Sequence, residues 1–154
     1  MGPGEEAQHY GGSGGVSLNS TLRRISYASQ FGDINILLSG QLTPDSRIQY
    51  RREIRSRVKA VAPFLRLDRD PYPVLDQAGK LWWLQDAYTA TDRIPYSAQT
   101  ERPLPRPENR EILGGFNYIR NSVKVVVDAY NGSVDFYVIQ PGDPLVQMYR
   151  KAFP

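Results

Sequence analysis

Two β-branched runs flank an Asn-Gly dipeptide in the C-terminal third of this chain. Lys124-Val125-Val126-Val127-Asp128-Ala129-Tyr130 precedes Asn131-Gly132, and Ser133-Val134-Asp135-Phe136-Tyr137-Val138-Ile139 follows. A two-residue type I′ loop needs φ > 0 at both central positions, which Asn and Gly accept at low cost, so the pattern predicts a β-hairpin. The loop length also sets a register. Ala129 faces Val134, Val127 faces Phe136 and Val125 faces Val138. The face carrying these residues and Val123 is wholly apolar and needs a cover. The other face mixes Lys124, Val126, Asp128, Tyr130, Asp135 and Tyr137, and places Asp128 opposite Asp135.

At 154 residues the chain is long enough for one domain with its own core. Cysteine is absent and His9 is the only histidine. These counts exclude disulfides and thiolate chemistry, and they argue against Ser-His-Asp machinery and histidine metal clusters. A net charge of +3 selects no class of partner. No apolar run reaches the ~18–20 residues that span a bilayer, and the polar start does not read as a signal peptide.

Residues 1–15 read as a flexible glycine-rich leader, and residues 16–154 as a single α+β domain. Ser17 or Asn19 caps a first helix reaching about Gln30, which Gly32 ends. Asp33 caps a short apolar helix, Ile34 to Leu38, expected to be buried. Thr43-Pro44-Asp45 has the form of a helix start, and Pro63 stops that helix after Ala62. Tyr72-Pro73-Val74-Leu75 and the run from Leu81 to Tyr88 form a second hairpin around Asp76 to Gly79, with Pro73 marking an edge. Trp82 and Trp83 read as one core ring and one partly covered ring. A proline-rich loop occupies residues 97–113. Asp143-Pro144 opens a last helix with Leu145, Tyr149 and Phe153 along one side. The fold class is α+β: N-terminal helices packed on an antiparallel sheet of two β-hairpins, with a short C-terminal helix.

Three sets of residues invite chemistry. Arg51, Arg52, Arg55 and Lys59 form a candidate anion-binding stripe on the helix expected over residues 43–62. The same pattern suits an amphipathic helix whose long basic stems lie over the core edge with their heads in water. Asp68 and Asp70 lack the central glycine and later glutamate of a calcium loop, so a salt-bridged turn is expected. Asp128 and Asp135, if buried together, need a shared proton or a cation; if solvated, they need neither.

Several stretches, taken in order, resemble one family. They are Phe31-Gly32-Asp33-Ile34-Asn35-Ile36, Ala62-Pro63-Phe64-Leu65-Arg66-Leu67-Asp68, Gln85-Asp86-Ala87-Tyr88-Thr89, Asn117-Tyr118-Ile119-Arg120-Asn121-Ser122-Val123-Lys124 and Tyr149-Arg150-Lys151-Ala152-Phe153-Pro154. The resemblance is to UPF0182, an uncharacterised family of large bacterial multi-pass membrane proteins. It implies that the chain is an internal piece of the soluble extracytoplasmic portion of a longer membrane protein. It transfers no catalytic residue and implies no cofactor or metal. The membrane is then reached only through parent segments that lie outside these residues.

The reading is a non-enzymatic extracytoplasmic interaction or structural domain whose partner is the parent membrane protein or an associated protein. No nucleic-acid partner is expected. Two alternatives are a metal- or carboxylate-dependent enzyme domain using Asp86, Asp128 or Asp135, and an anion- or nucleic-acid-binding module using Arg51, Arg52, Arg55 and Lys59.

Overall fold

A computed structural model describes residues 10–100 and 115–153. The first nine residues of the leader and most of the proline-rich loop expected at 97–113 lie outside these described residues. The chain divides into two compact units, one ending at Tyr50 and the other beginning at Arg51.

In the first unit, β1 (Val16–Ser17) pairs antiparallel with β2 (Arg47–Ile48). The Arg47 guanidinium donates to the carbonyls of Gly14 at 2.7 Å and Ser13 at 2.9 Å. Gly15 sits at φ +74°, and a Cβ there would lie 2.7 Å from the Ile48 carbonyl oxygen. Helix α1 (Thr21–Phe31) starts at Ser20, whose hydroxyl accepts the Arg23 N–H, and ends at Gly32 in the left-handed region. Helix α2 (Asn35–Leu38) follows, with the Asp33 carboxylate accepting the Asn35 N–H. The expectation that this short helix is buried fails: Ile34 is 63 % and Leu38 75 % exposed.

The helix expected from residue 43 to residue 62 is also corrected. Thr43 and Ser46 close a local turn, in which the Ser46 N–H meets the Thr43 carbonyl and the Ser46 hydroxyl accepts the Thr43 N–H. The chain then leaves as β2. Hydroxyls of this kind compete with helical bonding for backbone groups, and here the strand ladder supplies the alternative. Helix α3 (Ile54–Val61) begins only after Glu53, whose carboxylate accepts the N–H groups of Arg55 and Ser56 at 3.0 and 2.6 Å.

The second unit is built on a five-stranded antiparallel sheet. Two long strands, β5 (Leu81–Thr91) and β6 (Tyr118–Asp128), form its centre. Along the outer side of β5 run β3 (Arg66–Leu67) and β4 (Tyr72–Leu75). Strand β7 (Val134–Val138) pairs with β6 and forms the opposite edge. The expected β4–β5 hairpin forms, with Leu75 opposite Leu81 and Pro73 on an edge strand. The Asp76 carboxylate closes its turn by accepting the N–H groups of Ala78 and Lys80.

The principal hairpin pairs the expected strands in a different register. Val127 faces Val134, Val126 faces Asp135 and Val125 faces Phe136. Asp128 causes the difference. Its carboxylate accepts the N–H groups of Tyr130 and Asn131 at 2.8 and 3.0 Å, and its carbonyl accepts the Gly132 N–H at 2.8 Å. The loop therefore takes in Ala129 and Tyr130, and in it only Gly132 has positive φ. Pairing shifts by two residues. Strand side chains alternate with period two, so the apolar face is unchanged.

That face is covered. Val58 and Ala62 from α3, Leu65, Leu67, Ala87, Val123, Val125, Val127 and Val146 form one buried cluster. Each fully buried valine or leucine contributes roughly 1.5–3 kcal/mol. Val146 belongs to α4 (Pro144–Ala152). Its capping residue is Asp143, as the sequence predicts, but the core contact comes from Val146 rather than Leu145. Trp83 packs against this cluster, while Trp82 lies on the other face of the sheet.

Candidate functional site

On the covered face of the sheet, α3 and α4 supply Val58 and Val146 to the core. They leave an apolar groove of about 350 Å³. One wall comes from the end of α3 and the turn after it, through Val61, Ala62, Phe64 and Leu65. The floor is Val123, Phe136 and Val138, and α4 supplies Val146, Tyr149, Arg150 and Phe153. Phe64 ties the two walls together. Its ring stacks on Phe153 at 5.1 Å between centroids and tilts against Tyr149 at 4.3 Å. Val61 remains 58 %, Phe153 62 % and Phe136 38 % exposed. Among the described lining residues only Arg150 is charged. Such a concavity selects an apolar occupant and offers a cation at its rim.

Next to the floor residue Val123 lies a knot of hydrogen bonds that no sequence spacing announces. Register slips between β5 and β6: Ala87 pairs with Val123 and Tyr88 with Asn121, leaving Ser122 as the extra residue. A bulge re-aims a side chain, and this one turns the Ser122 hydroxyl inward to donate to the Asp143 carboxylate. Thr89 Oγ1 donates to the same carboxylate at 2.5 Å, Tyr118 Oη at 2.9 Å and the Leu145 N–H at 3.0 Å. Burial by itself raises the Asp143 pKa, but the bonds from Ser122, Thr89, Tyr118 and Leu145 outweigh it and hold the carboxyl below its usual value. The Tyr118 phenol moves up, through burial and then through its bond to Asp143. Asp143, Ser122 and Thr89 are fully buried. Through these bonds the knot ties the start of α4 to β5 and β6.

The carboxylates singled out in the sequence are not gathered. Asp86 lies opposite Lys124, whose Nζ is 2.7 Å from Asp86 Oδ1 and donates to Tyr72 Oη at 3.1 Å. These two bonds, Asp86 first, raise the Lys124 pKa against the effect of burial. Asp128 lies opposite Trp82 on β5 and is bridged by Lys80 at 2.8 Å. Lys80 Nζ also sits 4.0 Å above the Trp82 ring, and Trp82 Nε1 donates to Asp76 at 2.9 Å. Burial pushes the Asp128 pKa up, but Lys80 and the N–H groups of Asn131 and Tyr130 win and take it far below the carboxylate range. Asp86 and Asp128 sit about 13 Å apart along the strands, from the rise per residue. Asp135 is exposed and opposite Val126, not Asp128. Among the described residues no group of three His, Cys, Asp or Glu is placed to hold a metal.

The basic residues are only partly brought together. Arg55 and Lys59 share α3 and are half-buried, whereas Arg51 and Arg52 precede the helix and are exposed. Arg51 sits at φ +53°. Its carbonyl accepts the Arg57 Nε–H at 3.0 Å, and Arg57 Nη1 donates to the Gly132 carbonyl at 2.7 Å. Arg57, not singled out in the sequence, thus fastens α3 to the hairpin loop.

A model of the family described as "Uncharacterised protein family (UPF0182)" matches residues 1–154. The chain belongs to UPF0182. A UPF0182 protein of Sulfurovum sp. (strain NBC37-1) is 53 % identical over 145 residues, covering 94 % of this chain and 15 % of the relative. One from Geobacter sp. (strain M21) is 50 % identical over the same coverage. One from Trichodesmium erythraeum (strain IMS101) is 49 % identical over 152 residues and 16 % of its length. This UPF0182 chain therefore spans about 15 % of the length of these curated relatives. No solved structure matches it. Among its described residues no helix is long and apolar enough to cross a membrane.

Proposed function

We propose that this UPF0182 chain is a non-enzymatic interaction domain of a longer membrane protein, placed on the extracytoplasmic side. It docks an apolar segment of the parent or of an associated protein. The observation that carries this reading is the groove between α3, α4 and β7. An apolar lining of Val61, Phe136 and Phe153, left open to solvent, gains free energy when covered, at about 25 cal/mol per Å². The relatives supply ample chain to cover it, since the matched region is about 15 % of their length. The membrane setting rests on the family resemblance.

The test uses the longer protein in its own membrane. A photo-crosslinking phenylalanine analogue is placed at Phe153 in the groove or at the exposed Gln77 far along the sheet. A discrete adduct from position 153, absent from position 77, supports the reading. Identical patterns from both positions reject it. Sidedness is read separately. This chain has no cysteine, so Gln77→Cys in a cysteine-free parent reports whether a membrane-impermeant maleimide reaches the domain in intact cells. Labelling only after lysis places the domain on the other side and rejects that part of the reading.

A further inference from the structure

The two edges of the sheet are protected very differently. On the β3/β4 side, β3 has two residues and β4 carries Pro73, which cannot donate to a neighbouring strand. Proline and short strands are the usual guards against edge-to-edge pairing. Strand β7 has neither. Its sequence, Val134-Asp135-Phe136-Tyr137-Val138, contains no proline or lysine and a single charge. Among the described residues no strand pairs with its outer edge.

The direction of its free groups follows from the register. Asp128 N–H donates to the Ser133 carbonyl, and Ile139 N–H donates to the Ser122 carbonyl. Bonded pairs alternate in an antiparallel ladder, so Ser133, Asp135, Tyr137 and Ile139 direct their backbone groups toward β6. Val134, Phe136 and Val138 direct theirs outward. Phe136 and Val138 also line the groove floor. The unguarded edge and the open groove therefore meet on the same residues.

We infer that β7 accepts an added strand: an extended segment from elsewhere in the longer polypeptide, bonded to the backbone of Val134, Phe136 and Val138. Its chemistry follows from the two sides of the edge. Alternate apolar side chains continue the groove floor past Phe136. On the other side, a lysine or arginine sits beside the exposed Asp135 and an apolar or aromatic residue beside Tyr137. The same polypeptide is the source because about 85 % of the relatives' length lies outside the matched region, the complement of the 15 % it covers. Tethering gives such a segment a high local concentration. This inference names the partner of the docking function proposed above and rests on that reading.

Hydrogen exchange tests it. In the longer protein the amides of residues 134, 136 and 138 exchange at least tenfold more slowly than in the 154-residue chain by itself. Phe136→Pro removes an outward N–H without removing a bond to β6, and it abolishes the difference. Phe136→Ala keeps the N–H and retains it. Equal exchange in the two wild-type proteins overturns the inference, and that comparison needs no variant to fold. Protection already present in a dimer of the 154-residue chain, seen by sedimentation, also overturns it in favour of self-pairing. A groove adduct from position 153 combined with freely exchanging edge amides leaves the docking function standing and removes only the strand.

Discussion

Ser122 and Asp143 meet because a one-residue bulge in β6 turns the serine hydroxyl into the core, where it donates to the buried carboxylate capping α4. A helix cap and a sheet irregularity thus share one hydrogen bond. Asp143→Ala removes the acceptor for Ser122, Thr89 and Tyr118 and the cap for Leu145 together. Stranded buried donors cost about 1–3 kcal/mol each when unrelieved. The variant loses about 3 kcal/mol or more in urea unfolding. Ser122→Ala, which leaves two hydroxyls and the backbone N–H on the carboxylate, loses about 1 kcal/mol.

Acid removes part of the stability through Asp128 and Asp143. Both have folded pKa values below the unfolded value, so the native state binds fewer protons than the unfolded chain. Their contribution is complete above the unfolded carboxylate value of about 4 and declines as pH falls below it toward the folded values. Urea midpoints taken from pH 6 to pH 2 fall for the wild type. Asp128→Asn, which loses the Lys80 bridge, starts less stable at pH 6 and falls less steeply. Parallel curves for the two proteins contradict the assignment to Asp128. Lys124 acts in the opposite direction: its folded pKa is raised, so its contribution holds below about pH 10 and fades as pH rises through the folded value.

Three glycines at positive φ predict a ranking by what a methyl group would strike. Gly79 has no atom within 4 Å of the position a Cβ would take, so Gly79→Ala costs about 1 kcal/mol of backbone strain. At Gly132 the nearest atom is Arg57 Nη1 at 2.7 Å, the end of a long side chain that can shift while weakening its bond to the Gly132 carbonyl. Gly132→Ala therefore costs more than Gly79→Ala in thermal unfolding of the second unit. Gly15 faces the Ile48 carbonyl oxygen, which is backbone, so Gly15→Ala opens the β1–β2 ladder. Exchange of the Val16 and Ile48 amides accelerates accordingly.

Groove residues separate stability from docking. Val61 is more than half exposed, so Val61→Arg changes the melting of the 154-residue chain by no more than about 0.5 kcal/mol. In the longer protein the same change places a charge in the apolar cleft and abolishes the adduct formed from position 153. A fully retained adduct shows that the groove is not the docking surface.

Periodicity and turn chemistry made much of the architecture legible. Alternating valines mark β6, Pro73 marks an edge, Asp143-Pro144 marks a helix start, and the valine face stays the same through the two-residue shift of register. Structure departs from sequence pattern where two local signals compete. Thr43-Pro44-Asp45 has the chemistry of a helix start, yet Ser46 closes a turn and β2 pairs with β1. Asn131-Gly132 suits a two-residue loop, yet the Asp128 carboxylate captures the N–H groups ahead of it and lengthens the loop.

Local residue chemistry settled which segments are helix or strand and which side of each strand is apolar, because side-chain period and capping act within a few positions. The groove, the separation of Asp86 from Asp128 by their own lysines, and the convergence of Thr89, Tyr118 and Ser122 on Asp143 came only with the packed sheet. Those residues are distant along the chain, and a one-residue slip at Ser122 decides which hydroxyls point inward.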